Sequence, residues 1–142
     1  MESISIKKGQ QMNKTVRQSA TFHASPGEVY ELLMDSKKHS SFTNARAKIS
    51  NKIGGKISAY NGYITGYNIE LKPGKLIVQS WHAADWPEKH MSTAIFKFQK
   101  IKTGTNLIFT QKNVPSEQYD SIKQGWIDNY WQLMKEYCKN IK

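Results

Sequence analysis

Four side chains able to ligate a metal or move a proton, His82, Asp85, Glu88 and His90, fall within nine positions. Imidazole nitrogens and carboxylate oxygens are common zinc donors. Their spacing matches no metal motif, and Trp86-Pro87 between them restricts how the donors could converge. No metal is therefore assigned. Glu70 sits in an extended stretch that would place it on the same side as Ile64, Gly66 and Asn68. A carboxylate buried there with a raised pKa could serve as a general acid or base. An exposed one would sit idle on a solvated face or make a structural hydrogen bond. Cys138 is the single cysteine. No histidine is close to it in sequence, so it is read as a small half-buried residue rather than an activated thiolate. No glycine-rich loop leads into a helix, and neither Gly-x-Ser-x-Gly nor His-Glu-x-x-His occurs. No catalytic residue and no cofactor are assigned.

Aromatic side chains offer a different chemistry, that of binding. Trp81, Phe96, Phe98 and Phe109 alternate along extended segments and would face Trp126 and Tyr130 on the last helix. Together they could line a pocket for a small hydrophobic ligand, or simply fill the core. Trp86, Lys89 and His90 lie in a segment that proline and charge mark as a loop. An exposed tryptophan flanked by cations could anchor a protein partner. Alternatively, Trp86 folds back as a lid on the sheet edge.

The elements that must hold these residues can be read in order. Thr15 to Phe22 reads as a strand with Val16, Ala20 and Phe22 on one face. Ser25-Pro26-Gly27-Glu28 opens a helix: serine caps, proline suits the first turn, and glutamate completes a capping box. That helix should end near Asp35, with a short polar helix or turn from Lys37 to Thr43. Strands follow from Ala47 to Gln111. Asn61-Gly62 and Pro73-Gly74 supply hairpin turns, because both glycines and Asn61 tolerate positive φ. Tyr119, Ile122, Trp126, Tyr130, Leu133 and Tyr137 then recur at helical steps, and Ile127, Trp131 and Met134 widen the apolar arc. The result is an α+β, helix-grip architecture: a curved antiparallel sheet of about six strands around a long C-terminal helix.

Length and charge bound the rest. The chain has 142 residues, enough for one domain. Residues 1–13 read as a polar tail and 14–142 as the domain. Neither an apolar leader nor a stretch long enough to cross a bilayer is visible, which suits a cytoplasmic location without a membrane partner. Asn13-Lys14-Thr15 matches a glycosylation sequon, read as a chance match. The net charge of +10 would draw the protein towards acidic partners. The lysines are scattered, however, as on a solvated surface. Nucleic acid is disfavoured, since it would need lysines and aromatics together on one face.

Several dispersed motifs agree with a known family. Asn61-Gly62-Tyr63-Ile64-Thr65-Gly66 runs on to Glu70-Leu71-Lys72-Pro73-Gly74-Lys75 and Leu76-Ile77-Val78-Gln79-Ser80-Trp81. Trp86-Pro87-Glu88-Lys89-His90, Ser92-Thr93, Gln111 to Pro115, Gly125-Trp126 and Tyr130-Trp131 follow. In order and spacing this series resembles the C-terminal domain of the activator of heat-shock protein 90 ATPase, a START-like family. The resemblance covers residues 14 to 140. It implies a cytoplasmic co-chaperone that docks on heat-shock protein 90, stimulates its ATPase and takes part in the stress response. In that family an additional N-terminal domain carries the basic motif used for stimulation, and residues 1–13 are too short to be it. Two rival readings stand beside it. One is a START-like carrier or sensor, which needs a cavity between the sheet and the last helix. The other is a START-like enzyme, which needs Glu70 or His82 to point into that cavity.

Overall fold

The computed structural model describes residues 13–140. Apart from Asn13, the polar tail expected over 1–13 lies outside the described residues. The chain runs through β1 (Asn13–Phe22), α1 (Pro26–Met34), α2 (Ser36–Thr43), β2 (Lys48–Ile49), β3 (Lys56–Ala59), β4 (Ile64–Lys72), β5 (Leu76–Ala83), β6 (Ser92–Ile101) and β7 (Gly104–Pro115). The C-terminal helix follows in four pieces: a 3-10 turn (Ser116–Gln118), α3 (Tyr119–Trp126), a π-helical stretch (Ile127–Trp131) and α4 (Gln132–Lys139).

Seven strands form one antiparallel sheet in the order β1-β7-β6-β5-β4-β3-β2. Six of the strands, β2 to β7, lie side by side in chain order and make five sequential antiparallel pairs. The seventh strand comes from the N-terminus: β1 returns beside β7, with Phe22 opposite Thr105 and Val16 opposite Gln111.

Local chemistry sets the helix boundaries. The Ser25 hydroxyl accepts from the Glu28 amide at 3.2 Å, and the Glu28 carboxylate accepts from the Ser25 amide at 2.9 Å. This reciprocal pair satisfies two amides that the first turn leaves unpaired. Asp35 ends α1, its amide donating to the Glu31 carbonyl at 2.8 Å. The same residue starts α2, its carboxylate accepting from the Lys38 amide at 3.0 Å. One residue thus closes one helix and opens the next. The β3–β4 loop is wider than a two-residue turn. Ala59 and Ile64 are the last pair, and Tyr60, Asn61 and Gly62 all have positive φ.

The core lies between one face of the sheet and the helices. Val16, Ala20, Phe22, Ile77, Trp81, Ala94, Phe96, Leu107 and Phe109 point inwards by strand alternation. The rings centre on Trp126, which lies 4.3 Å from Phe109, 4.7 Å from Trp81 and 4.7 Å from Tyr130, centroid to centroid. A polar chain crosses this apolar region. Trp126 Nε1 donates to Gln111 Oε1 at 2.7 Å, Gln111 Nε2 to Ser92 Oγ at 2.9 Å, and Ser92 Oγ to the Trp81 carbonyl at 2.9 Å. Each buried donor in it has an acceptor, as burial away from water requires.

Two neighbouring rings reach the core from the π-helical stretch. A regular helix turns about 100° per residue, so adjacent side chains diverge. In the wider turn over Ile127–Trp131, Tyr130 and Trp131 are both buried, together with Trp126, Met134 and Cys138 on the flanking helices.

Candidate functional site

A cleft of about 340 Å³ opens between the C-terminal helix and the sheet. Tyr60, Tyr63 and Ile64 of the β3–β4 hairpin form one wall, with Trp81 of β5 beside them. Ser121, Ile122, Gly125, Trp126, Asn129 and Tyr130 form the helix wall. Gly125 has no side chain to obstruct the space. A Cβ there would meet only Asn129 Nδ2 at 3.7 Å, an ordinary contact. The backbone therefore does not demand glycine, and a mid-helix glycine costs about 1 kcal/mol against alanine. Its visible effect is an open wall. Tyr60 ties hairpin to helix, donating from its hydroxyl to the Asn129 carbonyl at 2.6 Å. Burial pushes that phenol up to about 12.

Behind Tyr130 sits His39, an ionisable group that motif reading passed over because it lies in the polar stretch of α2. It is 5% exposed. Its Nδ1 is 3.1 Å from the Leu33 carbonyl and its Nε2 is 2.8 Å from the Tyr130 hydroxyl. A carbonyl can only accept, so Nδ1 carries the proton and Nε2 accepts from Tyr130. Burial holds His39 down at about 4, although the Leu33 carbonyl favours the proton. The ring is thus a neutral acceptor at physiological pH. Burial also holds the Tyr130 phenol well above its usual value. The sole sequence signal for this pair was a histidine on a short helix beside Phe42, which stacks on it at 5.2 Å.

The six aromatic residues expected to line a pocket separate into two groups. Trp81, Trp126 and Tyr130 line the cleft. Phe96 and Phe109 lie beneath them in packed core, 5.0 Å apart. Phe98 lies further along β6 against Tyr30 of α1 at 5.6 Å. Under the cleft the remaining void is about 10 Å³, no more than one water could use. The space that could hold a ligand is therefore beside the aromatic cluster rather than within it.

The expectation for Glu70 is corrected. A β-bulge separates Asn68 from Glu70 in the pairing with β5. Asn68 stands opposite Gln79, but Glu70 stands opposite Val78, so the bulge turns Glu70 onto the outer face. There it is exposed and 3.6 Å from Lys72 Nζ. His82 also points outwards, next to inward Trp81, and its Nδ1 donates to the His90 carbonyl at 2.8 Å. Neither group reaches the cleft. Trp86 is not exposed: it is 4% accessible and meets the rings of His82 and His90 edge-on. It folds back as a lid, while Lys89 remains exposed. His90 Nε2 donates to the Asn113 carbonyl at 2.8 Å, tying this loop to β7. Asp85 accepts from the Tyr63 hydroxyl at 2.6 Å. Among the described residues, no three histidine, cysteine or acidic side chains are grouped to hold a metal, and no helix is long and apolar enough to cross a membrane. Cys138 is buried, and burial, with the Glu28 carboxylate adding to it, pushes its thiol up to about 11.

Residues 23–139 match the family model described as Activator of Hsp90 ATPase homolog 1-like protein. The chain belongs to this family. The activator of 90 kDa heat shock protein ATPase homolog of Dictyostelium discoideum is 31% identical over 123 residues, which is 86% of this chain and 32% of that protein. Homolog 1 of Homo sapiens is 30% identical over 116 residues, 82% of this chain and 34% of that protein. The chain thus spans about a third of the length of the curated relatives it matches. The crystal structure of an HSP90 activator from Plasmodium falciparum superposes with a TM-score of 0.82 at 23% identity, covering 87% of this chain and 94% of that one. The likeness shows a shared START-like, helix-grip fold. The cleft, the Trp126 cluster and the His39–Tyr130 pair all lie inside the stretch matched by the Hsp90-activator family model.

Proposed function

We propose that this domain is a co-chaperone-like binding module that docks on an Hsp90-type chaperone and raises its ATPase rate. The observation that carries the reading is the family match, which takes in residues 23–139 and so nearly every element of the fold. Its relatives are named as activators of that ATPase. The module acts by population shift: it binds the closed, hydrolysis-competent chaperone more tightly than the open one, and the closed state becomes more populated. The net charge of +10 favours encounter with an acidic surface. No reactive group in the domain is required, which accords with Glu70 and His82 both lying outside the cleft. The test adds the purified protein to Hsp90 from the same organism and follows phosphate release. A saturable rise in turnover is expected. Binding without a rise would reduce the reading to docking alone, and absence of binding at moderate salt would remove it.

The cleft favours a second reading, a small hydrophobic ligand held between Trp81, Trp126 and the hairpin. A volume of about 340 Å³ is at the lower end of small-molecule sites. Titration with an apolar fluorophore, followed by tryptophan quenching, should saturate in the native protein and fail in Gly125→Leu. Equal quenching in both would dismiss the cleft as the site.

A further inference from the structure

The helices all pack on one face of the sheet, and the strand register determines what the other face presents. Four rows cross it. Lys48, Ser58, Thr65 and His82 stand opposite one another in the first. Lys56, Tyr67, Ser80, Thr93 and Lys112 make the second. Glu70, Val78, Ile95, Thr110 and Arg17 make the third. Lys72, Leu76, Lys97, Ile108 and Ser19 make the fourth.

Two patterns emerge that the linear sequence conceals. First, the scattered lysines gather. Six cations, Arg17, Lys48, Lys56, Lys72, Lys97 and Lys112, share this face with one carboxylate, Glu70. The C-terminal helix on the opposite side is balanced: Glu117, Asp120, Asp128 and Glu136 slightly outweigh its three described lysines. The positive excess is therefore directional. Second, Tyr67, Val78, Ile95 and Ile108 form an apolar diagonal across four adjacent strands, β4 to β7. Its ends are open to solvent, Tyr67 at 47% and Ile108 at 39% exposure. Ile69, lifted out by the bulge, adds a further exposed apolar side chain beside Tyr67. At the β2–β4 end the surface dips into an open hollow of about 1020 Å³ lined by Lys48, Lys56, Thr65 and Tyr67 among others.

An apolar centre within a charged rim is the anatomy of a protein interface. Nucleic-acid platforms that bind without sequence preference stack bases on several aromatic rings. Here the rows hold two rings, Tyr67 near the centre and His82 at one corner, and the centre is otherwise aliphatic. We infer that the outer face of the sheet is the docking surface for an acidic protein, with the diagonal from Tyr67 to Ile108 at its centre. This deepens the proposed chaperone-binding role and rests on it. The apolar strip supplies contact area, the cations steer the approach, and the cleft on the far side stays free.

The deciding experiment compares two double variants that lower net charge equally. Lys97→Glu with Lys112→Glu alters the outer face, and Lys135→Glu with Lys139→Glu alters the helix face. Affinity for purified Hsp90 from the same organism is measured at two salt concentrations, with thermal unfolding run in parallel. A loss of tenfold or more in the outer-face variant, against less than twofold in the helix-face variant, is expected. A third variant, Ile108→Ser, should weaken binding without changing the salt dependence. Equal losses in the two double variants, or no loss in either, would overturn the surface assignment while leaving the chaperone reading standing. Failure of the native protein to bind the chaperone would overturn both. Displacement of bound chaperone by an equimolar mixed-sequence oligonucleotide would also overturn the assignment, because the face would then be a phosphate-binding one.

Discussion

The two faces of the sheet are built from the same seven strands and answer to different demands. The inner face carries Trp81, Phe96, Phe109 and Gln111, each fixed by a neighbour: ring against ring, or donor against acceptor. The outer face carries Tyr67, Val78, Ile95 and Ile108 amid cations, and the fold needs none of them beyond their strand-forming character. Where packing leaves residues free yet the pattern is ordered, recognition is the better account of the order. The inner face should therefore govern whether the molecule folds, and the outer face what it meets.

Five variants test that division, the first four in decreasing order of effect on stability. Trp126→Ala removes the ring that touches Phe109, Trp81 and Tyr130 and strands Gln111 Oε1. It should destabilise by about 3–5 kcal/mol, read from urea unfolding. A cost below 1 kcal/mol would mean the inner face is not the seat of stability. Next comes acid. His39 titrates at about 4 when folded and near 6.5 when unfolded. Between these values the unfolded chain binds the extra proton, so stability is fully present above about pH 6.5 and falls as pH drops to 4. The difference is worth about 3 kcal/mol. His39→Gln should flatten that part of the stability-versus-pH curve; an unchanged slope would place the acid sensitivity elsewhere. Tyr130→Phe keeps the ring and leaves Nε2 of His39 without its donor, and should cost about 1–2 kcal/mol. Finally, Lys97→Glu with Lys112→Glu should move stability by no more than about 0.5 kcal/mol while binding falls. A large stability loss there would erase the contrast. In the opposite direction, Gly125→Ala should stabilise the helix by about 0.5–1 kcal/mol and narrow the cleft; the thermal midpoint and fluorophore affinity would record both.

Some of this was legible in the linear chain. Ser25-Pro26-Gly27-Glu28 predicted its capping box because every bond involved is local. The alternation of Ala94, Phe96 and Phe98 gave the inner face of β6 for the same reason. Glu70 is exposed, one of the two readings open for it, but its side of the strand was misplaced because a bulge adds one residue to one strand only, and nothing in Asn68-Ile69-Glu70 marks it. His39 escaped notice because its significance depends on Tyr130, 91 residues away. Trp86 was readable as either anchor or lid until the positions of His82 and His90 were known. The gathering of lysines on one face was hidden for a similar reason: cross-strand rows join residues such as Arg17 and Thr110 that no local window contains. Charge that appears dispersed along a chain can be concentrated in space.

The wide turn over Ile127–Trp131 gives the last helix one residue more than its rise would otherwise need. Shortening the chain by one within that stretch would restore ordinary winding and still bring Met134 and Cys138 round to the strands. What would change is the set of side chains that the turn presents beside Trp126, where Tyr130 and Trp131 now both pack. The surplus residue is thus a local length variation, absorbed before Met134 and placed where Tyr130 and Trp131 both turn inwards.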